Sequence, residues 1–361
     1  MMDPRVKTVL EYAVLAPSGD NCQPWKVAVD DLRIDLFNDP GQDHSLYNLE
    51  QRASLISHGA VLENIRLAAP SVGLESRIEL LPDPSRENLI ASVFLTEGKA
   101  EQTDRFKVIP QRHTNREKYQ AVNISDSQLE RWQELPERPG EKIWVTSNPE
   151  QIEHLAGLLS LNDRLVFEIP DLHQFLFEQI RWTDAEAEET RDGLDIKTLG
   201  LTAMDRMSFR LLKYWGVVSA FNHVGFTGII QMKAKQLINS SSAIAIVMTP
   251  GTQAIDYIEG GKLWQRLLLQ LASEGLTAQP FAGLACLMQS AHERLLNQRV
   301  TVNQRNRLLN TRSELIKHVG SDESAVVLTM FRIGQGPPVT RALRRPLSSF
   351  LLSSQEGEAR R

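Results

Sequence analysis

Cysteine is nearly absent from this 361-residue chain, which has only Cys22 and Cys286. Two thiols cannot build a disulfide framework or a four-cysteine zinc site, so neither is expected, and no metal site is. Several chemical signatures are missing too. No Gly-rich dinucleotide fingerprint follows a strand. There is no P-loop, no His-Glu-x-x-His and no Gly-x-Ser-x-Gly elbow. Asp43-His44-Ser45 holds the letters of a triad, but sequence neighbours need not converge in space. No catalytic acid, base or nucleophile is nominated. Excess positive charge is also lacking: the net charge is -5 and the pI about 6.0. That balance weighs against a general nucleic-acid binder. One apolar run, residues 211–230, approaches bilayer length. It contains Lys213, Asn222, His223 and three glycines, and charged or amide groups at mid-span are expensive. A buried or lid helix is expected there, without stable membrane insertion. The opening "MMDPRVKTVL" has an acid and a proline but no apolar signal core, which gives the expectation of a cytoplasmic protein.

What is present is ordinary globular material: 42% hydrophobic and 24% charged residues, enough for a substantial core. Val6, Leu10, Ala13 and Val14 have helical spacing. Residues 25–37 alternate as a hairpin turning at Asp30-Asp31. Residues 54–72 read as a helix, followed by strands at 76–81 and 89–95. A strand near 142–145 precedes a helix over 149–159 and a long, mostly helical stretch to about residue 239. "SAIAIVMT", residues 242–249, reads as a fully buried strand. A helix over 261–274, a helical region over 290–318 and a last strand at 325–333 complete the pass. "GAVLENIRLAAPSVGL" from Gly59 overlays "GKLWQRLLLQLASEGL" from Gly261, matching Gly59 to Gly261, Leu67 to Leu269 and Gly73 to Gly275. Such an echo at a fixed offset suggests two related halves, although any helix ending in Gly-Leu would match in part.

Three clusters carry chemistry. In "APSGDNCQPW", Ala16 to Trp25, the side chains of Ser18, Asn21 and Gln23 can read the edge of a heteroaromatic ring or satisfy their own backbone. In "RHTNRE", Arg112, His113, Thr114 and Arg116 crowd a predicted helix start, with Thr114 and Glu117 as a capping box. Two arginines, a hydroxyl and open N–H groups suit a phosphate. "TRALRRP" adds Arg341, Arg344 and Arg345. Taken alone, either basic cluster more often marks a solvated surface or a frayed tail.

These stretches resemble the nitroreductase superfamily. "APSGDNCQPW" is similar to its Pro-Ser-x-x-Asn-x-Gln-Pro-Trp motif, and "RHTNR" to its Arg-(Arg/His)-(Ser/Thr)-x-(Arg/Lys) motif. The motif order is inverted relative to the common family and matches the duplicated, Acg-like branch. The ending "FRIGQGPPVTRALRRPL" and "RDGL" at Arg191–Leu194 also resemble that branch. Asp20 stands where many of its members carry His. The resemblance implies an α+β, nitroreductase-like fold with two related α/β halves in one chain, at 1–105 and 106–361. It implies a helical lid insertion at about 161–239. It further implies FMN as cofactor, NAD(P)H as possible co-substrate, and a monomer that mimics a dimer. Pro17, Ser18, Asn21 and Gln23 would meet the flavin ring. Arg112, His113, Thr114 and Arg116, with Arg344 and Arg345, would hold the phosphate and ribityl chain. Backbone N–H groups near Gly283 would face N5. The implied activity is hydride transfer from NAD(P)H through flavin N5 to a nitroaromatic, quinone or similar small-molecule acceptor. The alternative is an FMN-binding or storage protein whose lid suppresses turnover.

Overall fold

The computed structural model describes residues 2–353. Helix α1 (Pro4–Ala13) starts where the Asp3 carboxylate accepts from the Arg5 N–H and proline occupies the first turn. It buries Val6, Val9, Leu10 and Ala13. A hairpin follows, β1 (Trp25–Asp30) and β2 (Arg33–Asn38), turned through Asp31 at φ 52°. Helix α2 (Arg52–Ala68) then leads to the antiparallel pair β3 (Leu74–Leu80) and β4 (Leu89–Glu97). The first sheet has the order β1-β2-β4-β3.

A short helix α3 (Asp104–Lys107) and α4 (Asp126–Gln133), closed by a Ser125–Gln128 capping box, precede β5 (Lys142–Thr146). Next come α5 (Pro149–Leu159), α6 (Leu161–Val166) and α7 (Pro170–Gln179). A two-stranded parallel ribbon of β6 (Ile180–Arg181) and β7 (Leu194–Asp195) brackets α8 (Asp184–Thr190). Helices α9 (Ala203–Leu211), α10 (Trp215–Asn222) and α11 (Phe226–Ile238) complete the helical segment. The chain then forms β8 (Ala243–Thr249), α12 (Ala254–Ser273), β9 (Thr277–Pro280), α13 (Ala282–His292), α14 (Val302–His318) and β10 (Val326–Gly334). The second sheet has the order β5-β8-β10-β9. Counted within each sheet, both orders are 1-2-4-3, and the long helix lies between the second and third strands in each. Every residue of β8 and β10 is buried, as expected for strands covered on both faces.

The two long helices pack on each other at their matched glycines. A Cβ on Gly59 would land on the carbonyl oxygen of Ile258, and a Cβ on Gly261 on that of Ile56. The offset of 202 residues that relates Gly59 to Gly261 also relates Ile56 to Ile258, so the contact is reciprocal. One turn further on the exchange repeats in polar form. Gln265 Nε2 donates to Asn64 Oδ1 at 2.7 Å, and Arg266 Nε donates to Glu63 at 3.2 Å. All four of these residues are buried. Burial alone would raise the Glu63 carboxyl, but bonds and charge from Arg66 and Arg266 hold it below the usual carboxylate range.

Several boundaries differ from the sequence expectations. Helix α12 begins at Ala254, seven residues before the expected Gly261. Its Gly260-Gly261 pair is an interior contact, where a Cβ on Gly260 would strike Thr249 and Leu328. The apolar run 211–230 is broken between α10 and α11 at Gly225, whose φ is +87°. Among the described residues no helix is long and apolar enough to cross a membrane. The helical region expected over 290–318 is two helices, α13 and α14. The C-terminal tail crosses to the first sheet, where Val27 N–H donates to Phe350 O (2.9 Å) and Leu352 N–H donates to Val27 O (2.8 Å).

Gly59→Ala and Gly261→Ala should each destabilise the protein by about 1–3 kcal/mol or more, the usual cost of overpacking. Urea unfolding checks this. The double variant should depart from additivity, because both changes separate the same two helices.

Candidate functional site

Two sequence motifs and the tail converge on one cavity of about 570 Å³, within the range of small-molecule sites. The first wall is the loop after α1. It is a run of unusual backbone, with Asp20 at φ 42°, Asn21 at 60° and Gln23 at 52°. Three non-glycine residues near the left-handed region cost energy unless the surroundings fix them. Ser18 Oγ accepts from the Gln23 N–H at 2.9 Å, and Asn21 Nδ2 donates to Leu343 O at 2.9 Å. Asn21 Oδ1 is buried without a partner. Pro17, Ser18 and Asn21 all face the cavity.

Gln23 does not reach it. Its buried amide donates to Asn21 O and Arg191 O, and its oxygen accepts from the Arg345 N–H. Its work is to fasten the loop to the tail and to the turn at Arg191. Trp25 beside it is fully buried against Phe350 rather than lying beneath the cavity.

The second wall carries Arg112, His113, Thr114 and Arg116. The helix start expected there is not formed. Asn115 Oδ1 accepts the Glu117 N–H at 3.0 Å, an Asx-type turn that takes the donor a capping box would have used. Thr114 instead pairs with Ala278 at the edge of β9. The loop is anchored from behind by fully buried Arg332. That guanidinium lies 3.9 Å from the Tyr119 ring centroid and donates to Glu117 O at 2.9 Å. An anion here would therefore meet guanidinium groups, not a helix N-terminus.

The third wall is the tail, which brings Arg341, Arg344 and Arg345. Arg345 is partly spent, donating to Cys22 O and Gln23 O. With Arg191, six arginines line the cavity against two carboxylates, Glu11 and Asp20. None of the six forms a salt bridge among the described residues. The Nε atoms of Arg112 and Arg344 are buried and unpartnered. Burial, then the charges of Arg344 and Arg341, pushes the Arg112 pKa down to about 9, and burial takes Arg344 down to about 10. Arg344 is only partly buried and its Nη1 donates to Ala342 O and Leu343 O, whereas Arg112 is buried, and a buried unpaired cation is costly. This wall suits a multiply charged anion with oxygen acceptors, such as a phosphate monoester.

A second chamber of about 360 Å³ adjoins the first. Asp20, Arg116 and Leu194 line both. Its floor includes Tyr47, Trp264 and the start of α13, where Gly283 is packed so closely that a Cβ would meet the Tyr47 ring. Gly283 thus lies apart from the arginine cavity. The roof comes from the helical segment, through Phe167, Leu176, Leu199, Leu201, Phe209 and Leu237. Asp163 in α6 also faces this chamber. Burial pushes both Asp20 and Asp163 up to about 6; Asp43 adds to the rise at Asp20, and Arg116 opposes it at both. Sequence inspection missed Asp163 and Tyr47, for no motif marks them, and it met Asp43 only among the letters of a triad. It named Arg191–Leu194 only as part of the insertion.

No family model matches the chain. It is 34% identical over 101 residues to the Mycobacterium tuberculosis protein named "Putative NAD(P)H nitroreductase acg", covering 26% of this chain and 30% of that one. A second M. tuberculosis protein, "Putative NAD(P)H nitroreductase MT3217", is 31% identical over 116 residues, 32% of this chain and 34% of that protein. Over these stretches the chain is similar to proteins named as putative nitroreductases. "Uncharacterized protein MT1398" of M. tuberculosis matches more extensively, at 23% identity over 95% of this chain and 47% of that protein. The chain spans about half the length of that relative and about a third of each of the other two. Among solved structures, FMN-dependent NfnB from Mycobacterium smegmatis in complex with NADPH is 14% identical, with a TM-score of 0.38 over 70% of this chain and 98% of that one. A Bacteroides fragilis nitroreductase with bound FMN is 11% identical, with a TM-score of 0.34 over 68% and 96%.

Two outcomes are expected. Arg112→Met should raise the melting temperature measured without added anion, since it removes a buried unpaired charge. Asp163→Asn should be stabilising in a pH-dependent way. The native carboxyl titrates near 6 and the unfolded one near 3.9, so its penalty grows as pH rises from about 4 to about 6 and is complete above. The gain from Asp163→Asn should be larger at pH 7.5 than at pH 4.

Proposed function

We propose that this chain is an FMN-dependent oxidoreductase of nitroreductase type. The observation that carries the reading is the arginine-lined cavity that shares Asp20, Arg116 and Leu194 with a second chamber roofed by apolar side chains. FMN has that polarity, with a phosphate at one end and a flat aromatic ring system at the other. The unpartnered Nε atoms of Arg112 and Arg344 fit its phosphate, and Arg116 is within reach of both compartments. His113 and Thr114 border the path of the ribityl chain. Pro17, Ser18 and Asn21, with the unpartnered Asn21 Oδ1, line the arginine cavity, and Gly19 and Asp20 carry the same loop to the second chamber, where the ring edge would lie. The α13 start at Gly283 offers backbone N–H groups to the second chamber.

FMN held here would supply the redox chemistry, hydride transfer between NAD(P)H and a nitroaromatic, quinone or similar acceptor. The protein's own part is to hold the phosphate, exclude water from the chamber and set its electrostatics. Burial pushes Asp20 and Asp163 up to about 6, so both are mostly ionised at neutral pH and take up a proton as the pH falls toward 6.

A second reading is storage of FMN with little turnover. It is favoured by the roof, to which residues between 162 and 237 contribute; a flavin ring held beneath it would be shielded from a nicotinamide. In either reading the halves 1–105 and 106–361 stand for the two subunits of a nitroreductase dimer, with 161–239 as the lid. The chain then works as a monomer, and light scattering near 40.7 kDa is expected.

The test is an absorbance spectrum after incubation with FMN and removal of excess, followed by NAD(P)H with a quinone or nitroaromatic. A flavin spectrum that bleaches and turns over supports the reductase. A flavin spectrum indifferent to the nicotinamide supports storage, and failure to take up FMN overturns both. Arg112→Ala with Arg116→Ala should weaken FMN binding by about tenfold or more per residue, since each charge-assisted bond is worth about 1.5–3 kcal/mol. Fluorescence titration of the two proteins checks this.

A further inference from the structure

The helical segment that roofs the second chamber is apolar on its outer side as well. Ten large apolar side chains stand exposed among the described residues, and seven of them fall between positions 207 and 232. Met207 (71% exposed), Leu211 (62%) and Tyr214 (64%) follow a helical stripe through α9 and just beyond it, and Arg210 lies in the same stripe. Phe221 and Val224, the latter 79% exposed, sit at the break between α10 and α11, and Ile229 and Met232 continue along α11. The inner sides of the same helices are already occupied. Phe209, Leu212, Trp215, Phe226 and Ile230 pack into an aromatic cluster around Phe177. The outer residues are therefore surplus to the fold, and a patch of this kind marks an interaction surface.

Its charge names the partner. Between residues 205 and 236 there are five cations, Arg206, Arg210, Lys213, Lys233 and Lys235, and one acid, Asp205. Lys235 pairs with Glu153 and Lys213 borders a groove shared with Glu178, Glu186 and Glu189, which leaves Arg206, Arg210 and Lys233 against Asp205, a net positive face on a chain of net charge -5. Basic residues interleaved with exposed aliphatic and aromatic side chains on short helices are the chemistry of an anionic lipid surface. A second copy of the chain would bring two positive faces together. Val224 also projects at the glycine-broken turn before α11, with Phe221 at the end of α10, which suits insertion among acyl chains.

We propose that the outer face of α9–α11 docks peripherally on anionic membranes, without spanning them. The inference rests on this face alone and stands or falls apart from the flavin reading.

The test is co-sedimentation of the full chain with phosphatidylcholine vesicles and with vesicles containing phosphatidylglycerol, at low and high salt. Binding to the anionic vesicles is expected, weakened by salt and weak on the neutral ones. Met207→Ser with Leu211→Ser and Val224→Ser should lower vesicle affinity at least tenfold with the melting temperature retained. Val224→Asp alone, at a fully solvated turn, gives a second variant should the triple one not fold, and it too should bind more weakly. Absence of binding to anionic vesicles overturns the proposal, as does binding that neither variant alters. A concentration-dependent dimer, dissociated by the same substitutions without vesicles, would assign the face to a second copy instead.

Discussion

The crossing of α2 and α12 is the contact on which the rest of the structure depends. Two glycines admit the backbones to a distance that no other residue permits, and each helix presents the same surface to the other. The buried pairs Asn64–Gln265 and Glu63–Arg266 then fix the register. A buried polar group that loses its partner is costly, and a sliding of one helix would break both pairs together. The two sheets, each attached to one of these helices, inherit their relative placement from that lock.

The placement matters because the candidate site belongs to neither sheet alone. Its loop at Pro17–Asn21 precedes the first sheet, its basic loop lies beside β9 of the second, and the tail returns to pair with β1. Gln23 and Arg332, both buried, brace the two loops from behind. The cavity gathers six arginines against two carboxylates and, among the described residues, no salt bridge, while the adjoining chamber holds acids of raised pKa under an apolar roof. The chain spends stability to create a polar gradient from one compartment to the next.

Much of this was legible in the sequence. The hairpin at 25–37, the helix at 149–159 and the buried strand at 242–249 follow from period and composition. The echo between Gly59 and Gly261 could be seen as a repeat, but nothing in a linear string says that the copies touch each other. The convergence of Arg112 with Arg344 was likewise invisible, because it depends on a tail folding back across the molecule. The helix start at Thr114 was misread because Asn115 competes for the same N–H, and local patterns weigh such rivals poorly. Asp163 and Tyr47 gain their character only from burial, which residue type does not record. The start of α12 was misplaced because Gly260-Gly261 reads as a boundary, whereas here it is a point of close approach.

Arg112 and its neighbours also tie the protein's lifetime to its ligand. A buried guanidinium without a counter-charge depresses the stability of the empty fold, and an anion that binds only the native state restores it by mass action. Unfolded chains are what cellular proteases remove. The amount of this protein in a cell would then follow the supply of the anion it holds, so that the arginine cavity acts as a gauge of abundance as well as a seat for a ligand.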